Sequence, residues 1–231
     1  MQIHPGIEIA DLALKYKDIL ILGDLQLGYE EHLAKQGYLI PRFQFNDIKE
    51  RLAKIISTAK VRKIIFNGDI KHEFGIISEQ EWRDVLGIID SVDSTIEIIF
   101  VKGNHDIALG PIARKRGVKL VPYYTIDNIT ILHGDKIIPE LNEIIIIGHE
   151  HPAVSFAERK DEKFKCFLKG RWKGHTLIVM PSFNPLVAGT DVLSGNFLSP
   201  FLGGSMQDFE VWVAEDKVYY FGKIKDFDKA I

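Results

Sequence analysis

The sequence contains a single cysteine, no long apolar run and no strong excess of charge of one sign. Because Cys166 has no second cysteine to pair with, no internal disulfide can form and no cage of thiolates can hold a metal ion. No apolar run approaches the roughly 20 residues that a membrane-spanning helix needs, and the N-terminus has no basic segment ahead of an apolar block. We therefore expect a cytoplasmic protein without a membrane segment, in which any metal ligands are His, Asp, Asn or similar residues.

The balance of charge argues against a surface built to hold long polyanions. The 29 Lys and Arg residues are outnumbered by 32 Asp and Glu residues, which gives a net charge of −3. Because affinity for nucleic acid rests mainly on phosphate-facing Lys and Arg, we expect nucleic acid to bind only through a local site. With 46% hydrophobic residues the chain can bury a large core, and we expect one domain over residues 1–231. The sequence leaves open whether this domain forms a homo-oligomer.

Short, isoleucine-rich apolar runs separated by helical patterns predict an α/β fold. A helix with Asn46 as its N-cap is expected after the first run, and Ser78 with Glu81 predicts a capping box for the next helix. The first half therefore reads βαβαβ, which implies a parallel sheet, whereas short turns after Gly117 predict a mostly antiparallel second half. We expect two packed mixed β-sheets flanked by helices. The runs are Ile19–Leu22, Ile64–Phe66, Ile96–Val101, Ile129–Leu132, Ile144–Ile147 and Leu177–Met180.

Five of these runs lead into residues that commonly bind metals. Open α/β sheets place ligand sites at the carboxyl ends of their strands, so the loops that follow the runs can converge on one spot. Each element alone is more often a turn or a cap, but five of them in this order rarely occur together by chance. The residues are Asp24, Asp69, Asn104 with His105 and Asp106, His133, and His149 with His151.

The order of these motifs resembles that of the calcineurin-like metallophosphoesterases. The matching elements are Asp24, GD with Asp69, GNHD with Asn104 and His105, HG with His133, and GHEH with His149 and His151. Two further stretches, DLQLGYEEHLAKQGYLIP and MPSFNPLVAGTDV, resemble archaeal and bacterial phosphoesterases related to the SbcD-type DNA-repair nucleases and to a ligase-associated DNA-repair phosphoesterase. The resemblance implies a four-layer αββα sandwich and a hydrolase that acts on phosphate esters.

The resemblance also implies a centre of two divalent metal ions. Asp69 would bridge both ions, Asp24 and His151 would bind one of them, and the other ion would take the three remaining ligands, Asn104, His133 and His149. Mn²⁺ is the first candidate, with Fe²⁺, Zn²⁺ or Ni²⁺ as alternatives, because these ions accept mixtures of carboxylate, imidazole and carbonyl oxygen. Such a pair can hold a bridging hydroxide as the nucleophile for an in-line displacement at phosphorus.

His105 would stabilise the transition state or protonate the leaving oxygen, with Asp106 orienting its ring. The sequence departs from the family pattern at Gln26, where the family usually has a metal-ligating histidine in a DxH motif. An amide oxygen is a poorer ligand than imidazole for a transition metal, so the first ion is expected to bind more weakly. Residues near these motifs that could compensate are His72, Glu30 and His32. The candidate substrate contacts are His72, Arg42, Lys71, Arg171 and the loop Pro181–Thr190.

Three functions stay open at the level of sequence. The first is a phosphodiesterase or phosphomonoesterase that acts on small molecules or short oligonucleotides. The second is an SbcD-like nuclease in DNA repair, which the acidic charge and the short chain disfavour. The third is a family member that has lost activity and serves as a binding module. This hypothesis is motivated by Gln26 alone.

Overall fold

The computed structural model describes residues 1–156 and 159–227. The first half of the chain forms a seven-stranded sheet in which the strands lie side by side in chain order. These strands are β1 (Gln2–His4), β2 (Ile7–Ala10), β3 (Ala13–Tyr16), β4 (Ile19–Leu22), β5 (Lys63–Asn67), β6 (Glu97–Val101) and β7 (Lys119–Val121). The helices of this half are α1 (Tyr29–Lys35), α2 (Gln44–Thr58), α3 (Glu79–Ser91) and α4 (Gly110–Arg116).

The first sheet is antiparallel from β1 to β4 and parallel from β4 to β7. The predicted βαβαβ unit is therefore confirmed, and its parallel strands are buried almost throughout, as strands covered on both faces are. The three strands of the N-terminal meander were missed. Strand β2, for example, alternates buried residues with an exposed and a half-buried one over only four positions, which is too short a pattern to stand out.

The two main helices begin in different ways. Ser78 caps α3 as predicted, because its hydroxyl accepts the N–H of Glu81 at 3.1 Å while the Glu81 carboxylate accepts the N–H of Ser78 at 2.8 Å. The prediction of Asn46 as the cap of α2 was wrong, since this helix begins two residues earlier, at Gln44. There the buried Glu30 takes the place of a local cap, and its carboxylate accepts the N–H groups of Phe43 and Gln44, both at 3.1 Å.

The second half forms a nine-stranded sheet. Its strands are β8 (Tyr124–Ile126), β9 (Ile129–Ile131), β10 (Ile144–Ile147), β11 (Pro152–Phe156), β12 (Arg159–Trp172), β13 (His175–Val179), β14 (Thr190–Asp191), β15 (Glu210–Ala214) and β16 (Val218–Lys223). Most pairs are antiparallel, as expected, but β9, β10 and β13 are parallel to one another at the centre. This parallel centre matters because it directs the ends of β9 and β10 to the same edge.

The alternation of β10 shows how the two sheets pack. Ile144 and Ile146 join a core shared with the first sheet and with α2 and α3, whereas Ile145 and Ile147 face a second core. That second core is covered by residues 192–209, which include a short 3₁₀ turn, and by α5 (Ile224–Phe227). The structure therefore confirms two packed mixed sheets flanked by helices. Among the described residues, no helix combines the length and the apolar character that crossing a membrane requires.

Candidate metal centre

The carboxyl ends of the parallel strands of both sheets meet at one place. Within the first sheet, the N–H of Asp24 donates to the carbonyl of Gly68 at 3.1 Å, and the N–H of Gly68 donates to the carbonyl of Val101 at 3.0 Å. The side-chain amide of Asn67 crosses to the second sheet and donates to the carbonyl of Leu132 at 3.0 Å. The loops after β4, β5, β6 and β9 are thereby bound to one another rather than only to their own strands.

One group of candidate ligands surrounds His133. Ligand atoms of Asp69, His133 and His149 lie within 4.8 Å of one another. The Nε2 atom of His133 is 2.9 Å from Asn104 Oδ1, 3.1 Å from His149 Nδ1 and 3.4 Å from Asp69 Oδ2. Nitrogen and oxygen atoms that point at one small volume in this way can bind a divalent transition metal.

A second group adjoins the first and centres on Asp24. Its Oδ1 atom is 3.0 Å from His151 Nε2 and 3.7 Å from His133 Nδ1. All three of these atoms are buried, and none of them has a hydrogen-bond partner of acceptable geometry among the described residues. Because buried polar atoms are rarely left unpaired, such a set fits a bound cation. The side chains present therefore suit the metal ions that the sequence implies.

The charges of the site are strongly coupled. Burial alone would raise the pKa of Asp69, but the hydrogen bond and the charge of His133 lower it to about 2. Burial alone would likewise lower the pKa of His133, but Asp69 and Asp24 raise it to about 9. The pKa of the more accessible His149 is lowered, by burial and then by the charge of His133. A metal ion that binds here must therefore displace the proton that His133 holds at neutral pH.

The backbone is strained at the candidate ligands. Five of the site residues adopt the left-handed conformation that non-glycine residues avoid, with φ of 57° at Asp24, 44° at Gln26, 44° at Asp69, 65° at His149 and 50° at His151. Strain of this kind costs about 1–3 kcal/mol at each residue and persists where the surrounding structure enforces it. Its concentration at one edge of the molecule is typical of a functional site.

Two glycines make room for the carboxylates. A Cβ atom at Gly103 would overlap the carboxylate of Asp69, and one at Gly148 would overlap that of Asp24. The glycines of the GNHD and GHEH motifs are thus explained by close packing against the two aspartates.

Gln26 lies beside this cluster and is 8% exposed. Its N–H donates to the carbonyl of Asp69 at 2.9 Å, and its own carbonyl accepts the side-chain amide of Gln44 at 2.8 Å. Neither Glu30 nor His32 compensates for the missing histidine. Glu30 caps α2, and His32 contacts Glu73 at 3.4 Å.

Buried residues after β13 hold the Asp24 loop in place, a role that the sequence analysis did not assign to this segment. The hydroxyl of Ser182 donates to the carbonyl of Asp24 at 2.7 Å, and the Asn184 amide donates to the carbonyl of Gln26 at 3.4 Å. The amine of Lys165 donates to the carbonyls of Ser182, at 2.8 Å, and Asn184. Burial, together with the charge of Arg51, lowers the pKa of Lys165 to about 7. The signal in the sequence is the pair of polar residues Ser182 and Asn184, which lies shortly after the buried strand β13.

His105 turns one ring nitrogen toward the cluster. Its Nε2 atom is 3.7 Å from Asp69 Oδ2, and its backbone N–H donates to Asp69 Oδ1 at 3.0 Å. On the other side of the ring, Nδ1 contacts the backbone carbonyl of His72. Since a carbonyl can only accept, Nδ1 carries a hydrogen, and this contact sets the orientation of the ring.

The expectation that Asp106 orients the His105 ring was wrong. Asp106 is fully buried, and its carboxylate accepts N–H groups of Gly103 at 2.9 Å and Ile70 at 3.0 Å. Burial and the charge of Asp69 raise the pKa of Asp106 to about 7. Asp106 therefore joins the loops after β5 and β6.

Three of the candidate substrate contacts, His72, Lys71 and Arg42, lie in different surroundings. His72 is near the site, with its ring centroid 5.6 Å from that of His105, and its buried Nδ1 atom has no hydrogen-bond partner in the described part of the chain. Lys71 is fully buried, and its amine donates to backbone carbonyls of its own loop. Arg42 is exposed and lies beside the start of α2. Its charge acts on Asp84, which is a residue of α3. Of these three residues, only His72 has contacts that place it next to the candidate metal ligands.

The fold and the site define a metal-dependent hydrolase of phosphate esters. Two carboxylates, one carboxamide and three imidazoles converge at the carboxyl ends of parallel strands in a two-sheet sandwich. A family model described as calcineurin-like phosphoesterase matches residues 17–194. Since this match covers more than half of the chain, the protein belongs to the calcineurin-like phosphoesterase family.

Two solved structures are similar to this chain, and the first of them agrees with this fold. The nuclease MPE of Pseudomonas putida is 16% identical, covers 92% of this chain and 93% of its own, and superimposes with a TM-score of 0.65. Yfce, a phosphoesterase from E. coli, is 14% identical over 84% of this chain and 86% of its own, with a TM-score of 0.41. No curated protein sequence matched significantly. The SbcD-related subgroup stays a prediction.

Proposed function

We propose that the protein hydrolyses phosphodiester or phosphomonoester bonds with two divalent metal ions, of which Mn²⁺ is the first candidate. The observation that carries the proposal is the convergence of six ligand side chains, three of which have buried atoms without a hydrogen-bond partner among the residues that the structure describes. Mn²⁺ accepts this mixture of carboxylate, imidazole and amide oxygen, as do the alternatives Fe²⁺, Zn²⁺ and Ni²⁺.

The distances support two binding positions. Asp24 and His151, whose ligand atoms are 3.0 Å apart, would hold one ion. The second position would take Asn104, His133 and His149, which meet around His133 Nε2. Asp69 would serve both, and Gln26, whose backbone is fixed beside Asp69, would contribute at most a weak amide ligand to the first.

His105 is the proposed general acid. The bound ions would supply a hydroxide nucleophile and polarise the phosphoryl oxygens. Because Nδ1 of His105 donates to the His72 carbonyl, the proton that can reach the substrate is the one on Nε2 of the charged ring. As the new P–O bond forms and the bond to the leaving group breaks, this proton moves from Nε2 to the leaving oxygen, which departs as an alcohol.

The direct test is turnover by metal-stripped protein to which Mn²⁺ is returned. Bis(p-nitrophenyl) phosphate and p-nitrophenyl phosphate distinguish diesterase from monoesterase activity. We expect saturable, Mn²⁺-dependent turnover that is lost in Asp69→Asn. Turnover is expected to survive in the control Asp127→Asn, which alters an exposed aspartate paired with Lys17. Turnover without added metal, or equal activity in both variants, would contradict the proposal.

A nuclease is the second candidate, because the Pseudomonas putida protein with the same fold is one. The net charge of −3 favours short single strands over long duplex DNA as substrates. End-labelled oligonucleotides and a linear duplex, compared at equal Mn²⁺ concentration, separate these cases. The binding-module alternative rests on Gln26 alone, and the convergence of the six other ligands favours the enzyme.

A further inference from the structure

Three large apolar side chains are exposed next to the proposed acid. Phe74 is 62% exposed, Ile76 is 82% exposed and Ile107 is 65% exposed. Ile107 lies two residues beyond His105, and the N–H of Ile76 donates to the carbonyl of Phe74 at 2.9 Å. Exposure of such groups does not favour folding, and a cluster of them beside a reactive site is typical of a ligand-binding surface.

Phe74 lies directly on the ring of His105. The centroids of the two rings are 3.7 Å apart and their planes are inclined by 34°. The Nε2 edge of His105 faces the cluster, 3.7 Å from Asp69 Oδ2, so Phe74 covers a face of the imidazole without blocking that edge. A group that receives the proton from Nε2 therefore comes within reach of the Phe74 ring.

Hydrogen bonds to buried side chains fix the backbone of the loop that carries Phe74. The fully buried Lys71 donates from its amine to the carbonyls of Glu73 and Ile76, the latter at 3.5 Å. Glu81 accepts the N–H of Glu73 at 2.7 Å. An exposed aromatic ring on an anchored loop loses little conformational entropy when a ligand packs on it, which strengthens binding.

We propose that Phe74 is the stacking surface for an aromatic ring of the leaving group, and that the substrates are nucleotide phosphodiesters whose departing nucleoside carries this ring. The inference rests on the proposed phosphoesterase function. His105 gives its proton to the leaving oxygen, so the leaving group is the part of the substrate that lies beside Phe74. A planar side chain with an exposed face stacks on nucleobases of any sequence. The exposed Ile76 lies on the same loop, two residues after Phe74.

The experiment compares matched substrates that differ only in one base. The Mn²⁺-loaded protein is given the dinucleotide TpT and two analogues, each with an abasic tetrahydrofuran residue in place of one thymidine. For the analogue that lacks the base on the leaving side, we expect kcat/KM about 5- to 150-fold below that of TpT, the range that stacking of one base gives. In Phe74→Leu the ratio of kcat/KM for TpT to kcat/KM for this analogue is expected to fall close to one. Phe74→Trp, which keeps an aromatic ring, is expected to preserve the ratio.

The control is Phe221→Leu, the same substitution at a phenylalanine that is 42% exposed on β16. Its preference for TpT is expected to match that of the unmodified protein. If Phe74→Leu lowers kcat/KM for all three substrates by a large and equal factor, Phe74 only supports His105. If it leaves the preference for TpT over the analogue unchanged, the base binds elsewhere. Either result overturns the inference, as does a protein that cleaves bis(p-nitrophenyl) phosphate but no dinucleotide. Failure to cleave either bis(p-nitrophenyl) phosphate or p-nitrophenyl phosphate would instead refute the proposed function, and cleavage of the monoester alone would overturn the inference but not the function.

Discussion

Replacing Gln26 with histidine is expected to strengthen the binding of the weaker metal ion. The backbone at this position makes four hydrogen bonds among the described residues. Its N–H donates to the carbonyl of Asp69 at 2.9 Å, and its carbonyl accepts the N–H of Tyr29 at 3.1 Å and the side-chain amides of Gln44, at 2.8 Å, and Asn184, at 3.4 Å. Its φ of 44° lies in the left-handed region, which histidine enters more readily than most residues. The new imidazole would therefore extend from an unchanged backbone that is hydrogen-bonded to the candidate ligand Asp69.

The size of the effect follows from the ligand sets. The proposed first position has Asp24, His151 and the shared Asp69, one protein ligand fewer than the second position. Losing even an outer hydrogen-bond partner of a metal ligand typically lowers affinity by about 10- to 100-fold. Gaining a directly bound imidazole is expected to lower the Kd of the weaker ion by at least about tenfold, which corresponds to roughly 1.4 kcal/mol.

Electron paramagnetic resonance of free Mn²⁺ during a titration measures both dissociation constants. Gln26→Leu serves as the companion variant, because it keeps the bulk of the side chain but removes the amide oxygen, and it is expected to bind the first ion more weakly still. Gln207→His places a new imidazole on an exposed glutamine and controls for adventitious binding. The reasoning is refuted if Gln26→His leaves both constants unchanged, or if Gln207→His produces the same shift.

Two further predictions concern the support and the protonation of the centre. Ser182→Ala leaves the carbonyl of Asp24 and the N–H of Asn184 without their partner, so we expect the free energy of unfolding to fall by about 1–3 kcal/mol and Mn²⁺ to bind more weakly. Urea denaturation and Mn²⁺ titration check this, and unchanged values would contradict it. In the metal-free protein, His133, whose pKa Asp69 raises from 6.5 to about 9, stabilises the fold fully below pH 6.5 and loses this contribution as the pH rises to 9. The melting temperature of the metal-free protein is expected to fall as the pH rises across that window. Over the same window the affinity for Mn²⁺ is expected to rise, because binding releases a proton. Calorimetry of Mn²⁺ binding in two buffers measures this release, and finding none would contradict the prediction.

The strands that carry the site were the most predictable part of the fold. Ile19–Leu22 and Ile144–Ile147 coincide with β4 and β10, because each is a short apolar run that ends at a glycine. The ligands follow such runs directly, so the parallel arrangement alone brings them to one edge. Family resemblance then gave the pairing of ligands, for which the structure provides supporting distances.

Residues that act across long sequence separations could not be predicted in the same way. Glu30 caps α2 from 13 residues away in sequence, and Ser182 reaches Asp24 across 158 residues. Asn46 has the residue type of a cap but is overruled by this tertiary contact. Asp106 stands next to His105 in sequence, yet its carboxylate turns to the backbone of another loop, because a buried acceptor is best satisfied by N–H groups.

Four buried polar side chains stabilise loops in the same way. Glu30, Lys71, Asp106 and Ser182 are buried polar side chains, and each satisfies backbone groups of a loop that a strand pattern leaves undefined. Strands bring the candidate ligands to the same edge, but they do not hold five left-handed residues in conformations that the isolated chain avoids. The bonds between loops do so, which is why the precision of the metal centre depends on residues that bind neither metal nor substrate.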